Sequence, residues 1–221
     1  MTKTLGILGL GSRSTRFYIK EMNRLYHKKY GASTICPLKL LNTNFDEINN
    51  LLPQPSEQLD AVVKPYIKEL LLLQVDHILV PNITLHQTLE RLNINIPIIH
   101  PIENTILDVQ KKHCKKIVLF GSLYTMQSNY VKSKFQESGI EVLIPTQNER
   151  VFIDEVRKQV YYERESSNLI HSFNLLIEKY CGDYGTVLAC TELSIASNNN
   201  FKNLFDMSQS QLNAAIKAID P

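Results

Sequence analysis

The sequence has little of what would settle its class at a glance. Only four cysteines occur in 221 residues, Cys36, Cys114, Cys181 and Cys190, and no two of them form a C-x-x-C pair. That number and spacing exclude a disulfide framework and a zinc ribbon, and any one of them can serve as a small buried hydrophobe. Net charge is scarce as well: at +2, no global field recruits nucleic acid or an anionic membrane. Long apolar runs are missing, and Leu70-Leu71-Leu72-Leu73 falls far short of a bilayer span. The N-terminus reads at once as a strand and shows no cleavable signal. What is present is a 43% hydrophobic composition, enough to bury a sizeable interior. The expectation is a soluble, cytoplasmic α/β protein.

Apolar runs of strand length alternate with longer amphipathic stretches. Thr4–Gly9 reads as a first strand, followed by a polar turn and a helix to about Tyr30. Ser33–Leu41 reads as a second strand, with Cys36-Pro37 pointing to an edge position or a bulge. Gln58–Gln74 has helical spacing, and Pro65 should kink that helix or mark its first turn. Asp76–Pro81, a short helix over Thr84–Leu92 and a fourth strand at Ile96–Ile99 complete a β-α rhythm that means a mostly parallel sheet.

The plan then restarts. Lys115–Ser122 repeats the character of Lys3–Ser12, and Thr186–Leu193 echoes His77–Thr84. The offsets are similar, 73 positions from Gly9 to Asn82 and 69 from Gly121 to Cys190. A weak internal duplication predicts two similar α/β lobes, each a mostly parallel sheet flanked by helices, with an active-site cleft between them. The first lobe is expected over 1–101, joined by a C-terminal helix at about 208–221, and the second over 102–198. Spacing of Leu212, Ala215 and Ile216 predicts that this last helix packs back on the first lobe.

In parallel α/β sheets, ligands bind beyond the carboxyl ends of strands. Four exits therefore matter: Gly9–Thr15, Pro81–His86, Gly121–Met126 and Ala189–Glu192. Gly9-x-Gly11 lacks the third glycine of a dinucleotide loop, Ser14 standing in its place, and no Walker lysine follows. The hydroxyls of Ser12, Ser14 and Thr15 suit a small carboxylate, or plain N-capping of the next helix. Cys190 leaves a buried strand and enters a helix, whose macrodipole should lower its pKa. Glu192 would oppose that, or take up the thiol proton, and a merely structural cysteine closing the strand is the other reading. His86 shares a helical face with Asn82 if the helix begins there, though a capping or core-edge histidine explains it as well.

Together these exits resemble the cofactor-independent aspartate/glutamate racemase superfamily, closest to its aspartate racemase branch. Leu5-Gly6-Ile7-Leu8-Gly9 with Ser14-Thr15, Tyr18 and Asn23 is similar to that family's opening strand and helix start. The turn is one residue short and lacks the usual Met-Ser-Pro wording. Asn44-Phe45-x-x-Ile48 resembles the motif after the second strand, and Pro81-Asn82-Ile83-Thr84-Leu85-His86 sits where the family writes Pro-Cys-Asn-Thr-x-His. Ile96–His100, Gly121-Ser122-x-x-Thr125-Met126 and Cys190-Thr191-Glu192-Leu193 match the later motifs in order.

The resemblance implies catalysis without pyridoxal phosphate or metal, by two cysteines on opposite faces of a substrate α-carbon. The second cysteine is Cys190; the first falls on Asn82, whose amide cannot serve as acid or base. Catalytic candidates are therefore Cys190, Asn82 as the position of the missing cysteine, and Glu192, with Ser12, Thr84, Ser122, Thr125 and Thr191 gripping a carboxylate. The expected function is racemisation of aspartate or glutamate, selective for the L-enantiomer because the first cysteine is lost. The alternatives are a non-catalytic amino-acid or dicarboxylate binder and a one-cysteine carbanion enzyme of the arylmalonate decarboxylase type. The partner is a small amino acid or dicarboxylate, neither nucleic acid nor membrane, and the resemblance allows a homodimer. A cation for an acidic side chain could come from Arg13, Lys39, Lys158 or Arg164, though a solvated surface charge is the commoner explanation for each.

Overall fold

The computed structural model describes residues 3–31, 33–198 and 200–220. Met1, Thr2 and Pro221, at the outer limits of the expected lobes, lie outside the described residues. The chain divides into two compact units, Met1–His100 with Gln211–Pro221, and Pro101–Ser210.

The first unit runs β1 (Leu5–Gly9), α1 (Ser12–Tyr30), β2 (Leu38–Asn42), α2 (Phe45–Asn49), α3 (Glu57–Leu72), β3 (His77–Leu79) and α4 (His86–Leu89). Its sheet is parallel in the order β2-β1-β3. β1 is buried at every position, as a central strand covered on both faces must be. In α1 the buried residues Ser14, Thr15, Tyr18, Met22 and Tyr26 form one stripe at helical spacing, and His27, Lys28 and Lys29 close the last turn where cations suit the dipole. Ser56 caps α3, accepting from the Leu59 N–H at 3.1 Å.

The second unit runs α5 (Pro101–Lys111), β4 (Lys116–Phe120), α6 (Leu123–Gln127), α7 (Asn129–Glu137), β5 (Glu141–Leu143), α8 (Gln147–Tyr161), α9 (Ser167–Asp183), β6 (Gly185–Leu188), α10 (Thr191–Ala196) and β7 (Leu204–Asp206). Its parallel sheet has the order β5-β4-β6-β7. The final helix α11 (Met207–Ala218) carries Leu212, Ala215 and Ile216, which with Ile219 join Leu5, Ile7, Tyr18 and Met22 in one core. Two parallel sheets flanked by helices are the expected architecture. Each is built around its opening strand, with the next strand on one side and the third on the other, which is the duplication read from the sequence.

Three local expectations change. β2 begins only at Leu38, after Cys36-Pro37, because Pro37 has no N–H to give a ladder; its carbonyl still accepts from the Leu5 N–H at 3.0 Å. The strand does lie at a sheet edge. Pro65 sits mid-way along α3 rather than in its first turn, on an exposed position. The fourth strand at Ile96–Ile99 reduces to a bridge from Ile98 to Ile78, since Pro97 cannot donate and β3 is three residues long. The corresponding place in the second sheet holds a true strand, β7, which the sequence reading did not anticipate. Among the described residues no helix is long and apolar enough to cross a membrane.

Candidate active site

The exit of β6 carries Cys190. The strand pairing continues one residue past β6, where the Ala189 N–H donates to the Phe120 carbonyl at 2.7 Å. Cys190 is extended, at φ −163° and ψ 134°, and serves as N-cap of α10 through its backbone alone. Its carbonyl accepts from the N–H groups of Leu193 and Ser194, both at 3.1 Å. The sulfur is thus not spent on capping; it donates to Glu192 Oε2 at 2.8 Å. Burial, and then the negative charge of Glu192, push the thiol well above its ordinary pKa, while the Arg157 guanidinium pulls the other way. This corrects the expectation of a lowered thiol. Six residues of α10 supply a weak dipole, and the loss of water outweighs it.

Beneath α10 lies a polar cluster. The Ser194 hydroxyl donates to Asp206 Oδ1 at 2.7 Å, and the same oxygen accepts from the Ser208 N–H at 2.8 Å. Thr191 is buried, with its hydroxyl at 3.5 Å from that of Ser208.

The exit of β4 is built for close approach. A Cβ at Gly121 would stand 2.9 Å from both Cβ and Cγ2 of Thr125. Ser122 caps α6, its hydroxyl accepting from the Thr125 N–H at 3.1 Å and lying 2.9 Å from Thr125 Oγ1. The next N–H, of Leu123, donates to Asp154 Oδ1 at 3.3 Å. Asp154 is nearly buried and also holds Arg157 Nε and Lys158 Nζ, each at 2.8 Å. Burial alone would raise its pKa, but the hydrogen bonds from Lys158 and Arg157 prevail and hold it below the usual value.

In the first unit, Ser14 and Thr15 tie the turn to α1 without capping it: Ser14 Oγ donates to the Gly11 carbonyl at 3.0 Å, and Thr15 Oγ1 accepts from the Leu10 N–H at 3.1 Å. Ser12 opens α1 and is exposed. At the β3 exit, Asn82 Oδ1 accepts from Thr84 Oγ1 at 2.9 Å and from the Leu85 N–H at 3.0 Å. The Asn82 side chain thus braces the turn that leads into α4 by bonds to residues two and three positions on. Because α4 begins only at His86, Asn82 and His86 do not share a helical face as the sequence suggested. His86 is fully buried, with Nε2 3.3 Å from the Val80 carbonyl and its ring edge-on to His100 at 4.8 Å.

Residues 7–215 match the model of the Asp/Glu/hydantoin racemase family. The chain belongs to that family. An aspartate racemase homologue from Pyrococcus horikoshii has the same fold, with a TM-score of 0.83 at 21% identity over 100% of both chains. The Picrophilus torridus aspartate racemase superposes with a TM-score of 0.79 at 19% identity, covering 98% of this chain and 94% of that one. The glutamate racemase of Aquifex pyrophilus follows at 0.62 and 19%, over 98% and 84%.

Within this family frame, Asn82 and Cys190 occupy matching places in the two repeats. Asn82 stands three residues after β3, and Cys190 two residues after β6. The side chains named from the sequence fall into two local groups, Ser122 with Thr125 and Asn82 with Thr84, besides the Cys190–Glu192 pair. The expected cations fare differently. Lys158 is bound to Asp154, Lys39 donates to the Leu73 carbonyl, and Arg164 lies over the Tyr162 ring at 5.6 Å. Arg13 is half-buried on α1. Arg157, which sequence reasoning passed over in favour of its neighbour Lys158, is bound to Asp154 on the same helix at 2.8 Å. Its spacing of three from Asp154 on one helix was the available signal.

Proposed function

We propose that the protein is a cofactor-independent racemase of an acidic amino acid, aspartate or glutamate, acting preferentially on the L-enantiomer. The observation that carries this reading is the hydrogen bond from Cys190 Sγ to Glu192 Oε2 at 2.8 Å, at a strand exit where the sulfur has no capping duty. Glu192 accepts the thiol proton and the electron pair stays on sulfur. The thiolate then removes the substrate α-proton and becomes a thiol again, leaving a carbanion whose charge spreads into the α-carboxylate. Hydroxyls of Ser12, Ser122, Thr125 and Thr191 and nearby backbone N–H groups hold that carboxylate. A water held by Asn82 or Thr84 returns a proton to the opposite face, because the Asn82 amide does not titrate. No cofactor takes part, and the reading carries a cytoplasmic location with it.

A second reading has an observation of its own. Asn82 Oδ1 is already engaged by Thr84 and Leu85, and the Cys190 thiol is held protonated by its surroundings. Both suit a protein that binds an amino acid or dicarboxylate without turning it over. Proton NMR of L-Asp and L-Glu in D₂O separates the two. Loss of the α-proton signal, absent with Cys190→Ser, supports the racemase; binding by calorimetry without exchange favours the binder.

A further inference from the structure

The turn that leaves β4 is braced by α8. Leu123 and Met126 of α6 share one apolar cluster with Ile153 and Val156 of α8. Asp154, from the same stretch of α8, has its side chain 5% exposed, and its Oδ1 accepts from the Leu123 N–H at 3.3 Å. The same oxygen accepts from Arg157 Nε, and Oδ2 faces Lys158 Nζ, each at 2.8 Å. Taking a carboxylate out of water is unfavourable, and an apolar side chain of similar volume could join two helices as well. What it could not supply is an acceptor for the first N–H of α6, which has no partner within its own helix.

The bond matters because of what the turn presents. Ser122 Oγ accepts from the Thr125 N–H at 3.1 Å and lies 2.9 Å from Thr125 Oγ1. Thr125 is buried and its hydroxyl has no other acceptor among the described residues, so its proton goes to Ser122 Oγ. Both lone pairs of Ser122 are then filled, and its own proton is left to donate. A hydroxyl in that state takes a carboxylate and refuses an ammonium group. Its direction is set by the turn, which Leu123 closes against Asp154. Asp154 is itself an anion, but its two cations outnumber it, so the turn is not closed to a second carboxylate.

We propose that Asp154 is the positioning residue of the carboxylate grip at the β4 exit: by holding the Leu123 N–H, it fixes the turn in which the Ser122 hydroxyl can only donate. This rests on the reading of Ser122 and Thr125 as part of the grip on an acidic amino acid.

The test is calorimetry of L-aspartate and L-glutamate with the intact protein, joined to hydrogen exchange of the Leu123 amide by NMR. Asp154→Ala should weaken binding of the tighter ligand roughly tenfold and speed Leu123 exchange by at least as much. By charge alone the sign is reversed, since removing an anion beside a carboxylate site tightens binding. Asp154→Asn drops the charge but keeps Oδ1, and should bind within about threefold of the wild type. A residue that only braced α8 would lower the melting temperature and leave the affinity in place. Unchanged or tighter binding by a folded Asp154→Ala protein overturns the proposal, as does an Asp154→Asn protein weakened as much as Asp154→Ala. If Asp154→Ala does not fold, Asp154→Asn and the wild-type Leu123 amide decide. Binding within about threefold, with Leu123 exchanging at least about tenfold slower than an unstructured amide, supports the proposal, and failure of either overturns it. A wild type that binds neither amino acid overturns the grip and the proposal together. Binding without loss of the α-proton signal removes the racemase reading alone, and the Asp154 comparison still stands.

Discussion

The hydroxyl of Tyr18 donates to Oε1 of Gln211 at 2.7 Å, joining two fully buried side chains 193 positions apart. The same glutamine donates through Nε2 to the Ile99 carbonyl at 2.6 Å, and lies 3.5 Å from the Val80 carbonyl just ahead of Asn82. One neutral amide therefore ties α1, the end of the first unit's main segment, the β3 exit and α11 together. A buried acceptor deprived of its donor loses the exchange that made its burial affordable, at roughly 1–3 kcal/mol. Gln211→Leu should lower unfolding stability by about 2–4 kcal/mol, and Tyr18→Phe by about 1–3 kcal/mol, in urea denaturation. Unchanged midpoints would show that other groups satisfy the network.

A second set of bonds sets the acid stability of the second unit. Glu149 completes a capping box with Thr146, and its oxygens also accept from Lys179 Nζ and Tyr180 Oη, both at 2.7 Å. Burial would raise its pKa, but the bonds from Lys179, Thr146 and Tyr180 bring it down from 4.5 to about 2. A depressed folded pKa means that this stabilisation is complete above about pH 4.5 and is lost as the pH falls through about 2. After allowance for screening, Glu149→Gln should cost about 1–2 kcal/mol at neutral pH and flatten the dependence over that window. Denaturant melts at pH 7, 4 and 2.5 or so check it; parallel curves for variant and wild type would refute it.

On the proposed mechanism, Asn82→Cys supplies a second thiol opposite Cys190. It should raise α-proton exchange on the D-enantiomer, which in the wild type should be slow, and raise racemisation with it. Because the substitution also removes the Oδ1 acceptor of Thr84 and Leu85, a stability loss of about 0.5–2 kcal/mol should accompany the gain. Exchange followed separately on each enantiomer in D₂O reads both sides. A wild type equally fast on both would mean that another residue has replaced the missing cysteine.

Gly121→Ala would press a Cβ against Thr125 at 2.9 Å and force the β4 exit apart. A cost of about 1–3 kcal/mol is expected from such overpacking. The Ser122–Thr125 hydroxyl pair should be disturbed as well, so binding of an acidic amino acid should weaken in calorimetry along with the melting temperature. Full affinity in a folded Gly121→Ala protein would remove the Ser122 turn from the carboxylate grip.

Periodicity and punctuation were enough to read the α/β class and the restart near Lys115, and the family was read from the resemblance of the strand-exit motifs. A buried strand between two helical stretches writes its burial into consecutive residues, as Ile117–Phe120 does. The placing of Asn82 and Cys190 just beyond β3 and β6 was legible for the same reason, three and two residues after those strands. What stayed hidden depends on partners distant along the chain. β7 is three residues long and is a strand only because β6 offers it an edge, through the pairing of Thr186 with Leu204 and Leu188 with Asp206. Gln211 is an ordinary helix residue until Tyr18 and Ile99 are brought against it. The state of Cys190 is the clearest case. Its sequence neighbours include a helix start, which lowers a thiol pKa, but folding removes water and adds Glu192 and Arg157. Desolvation and charge at close range exceed the field of a six-residue helix, and only the tertiary structure decides how much of each a side chain meets.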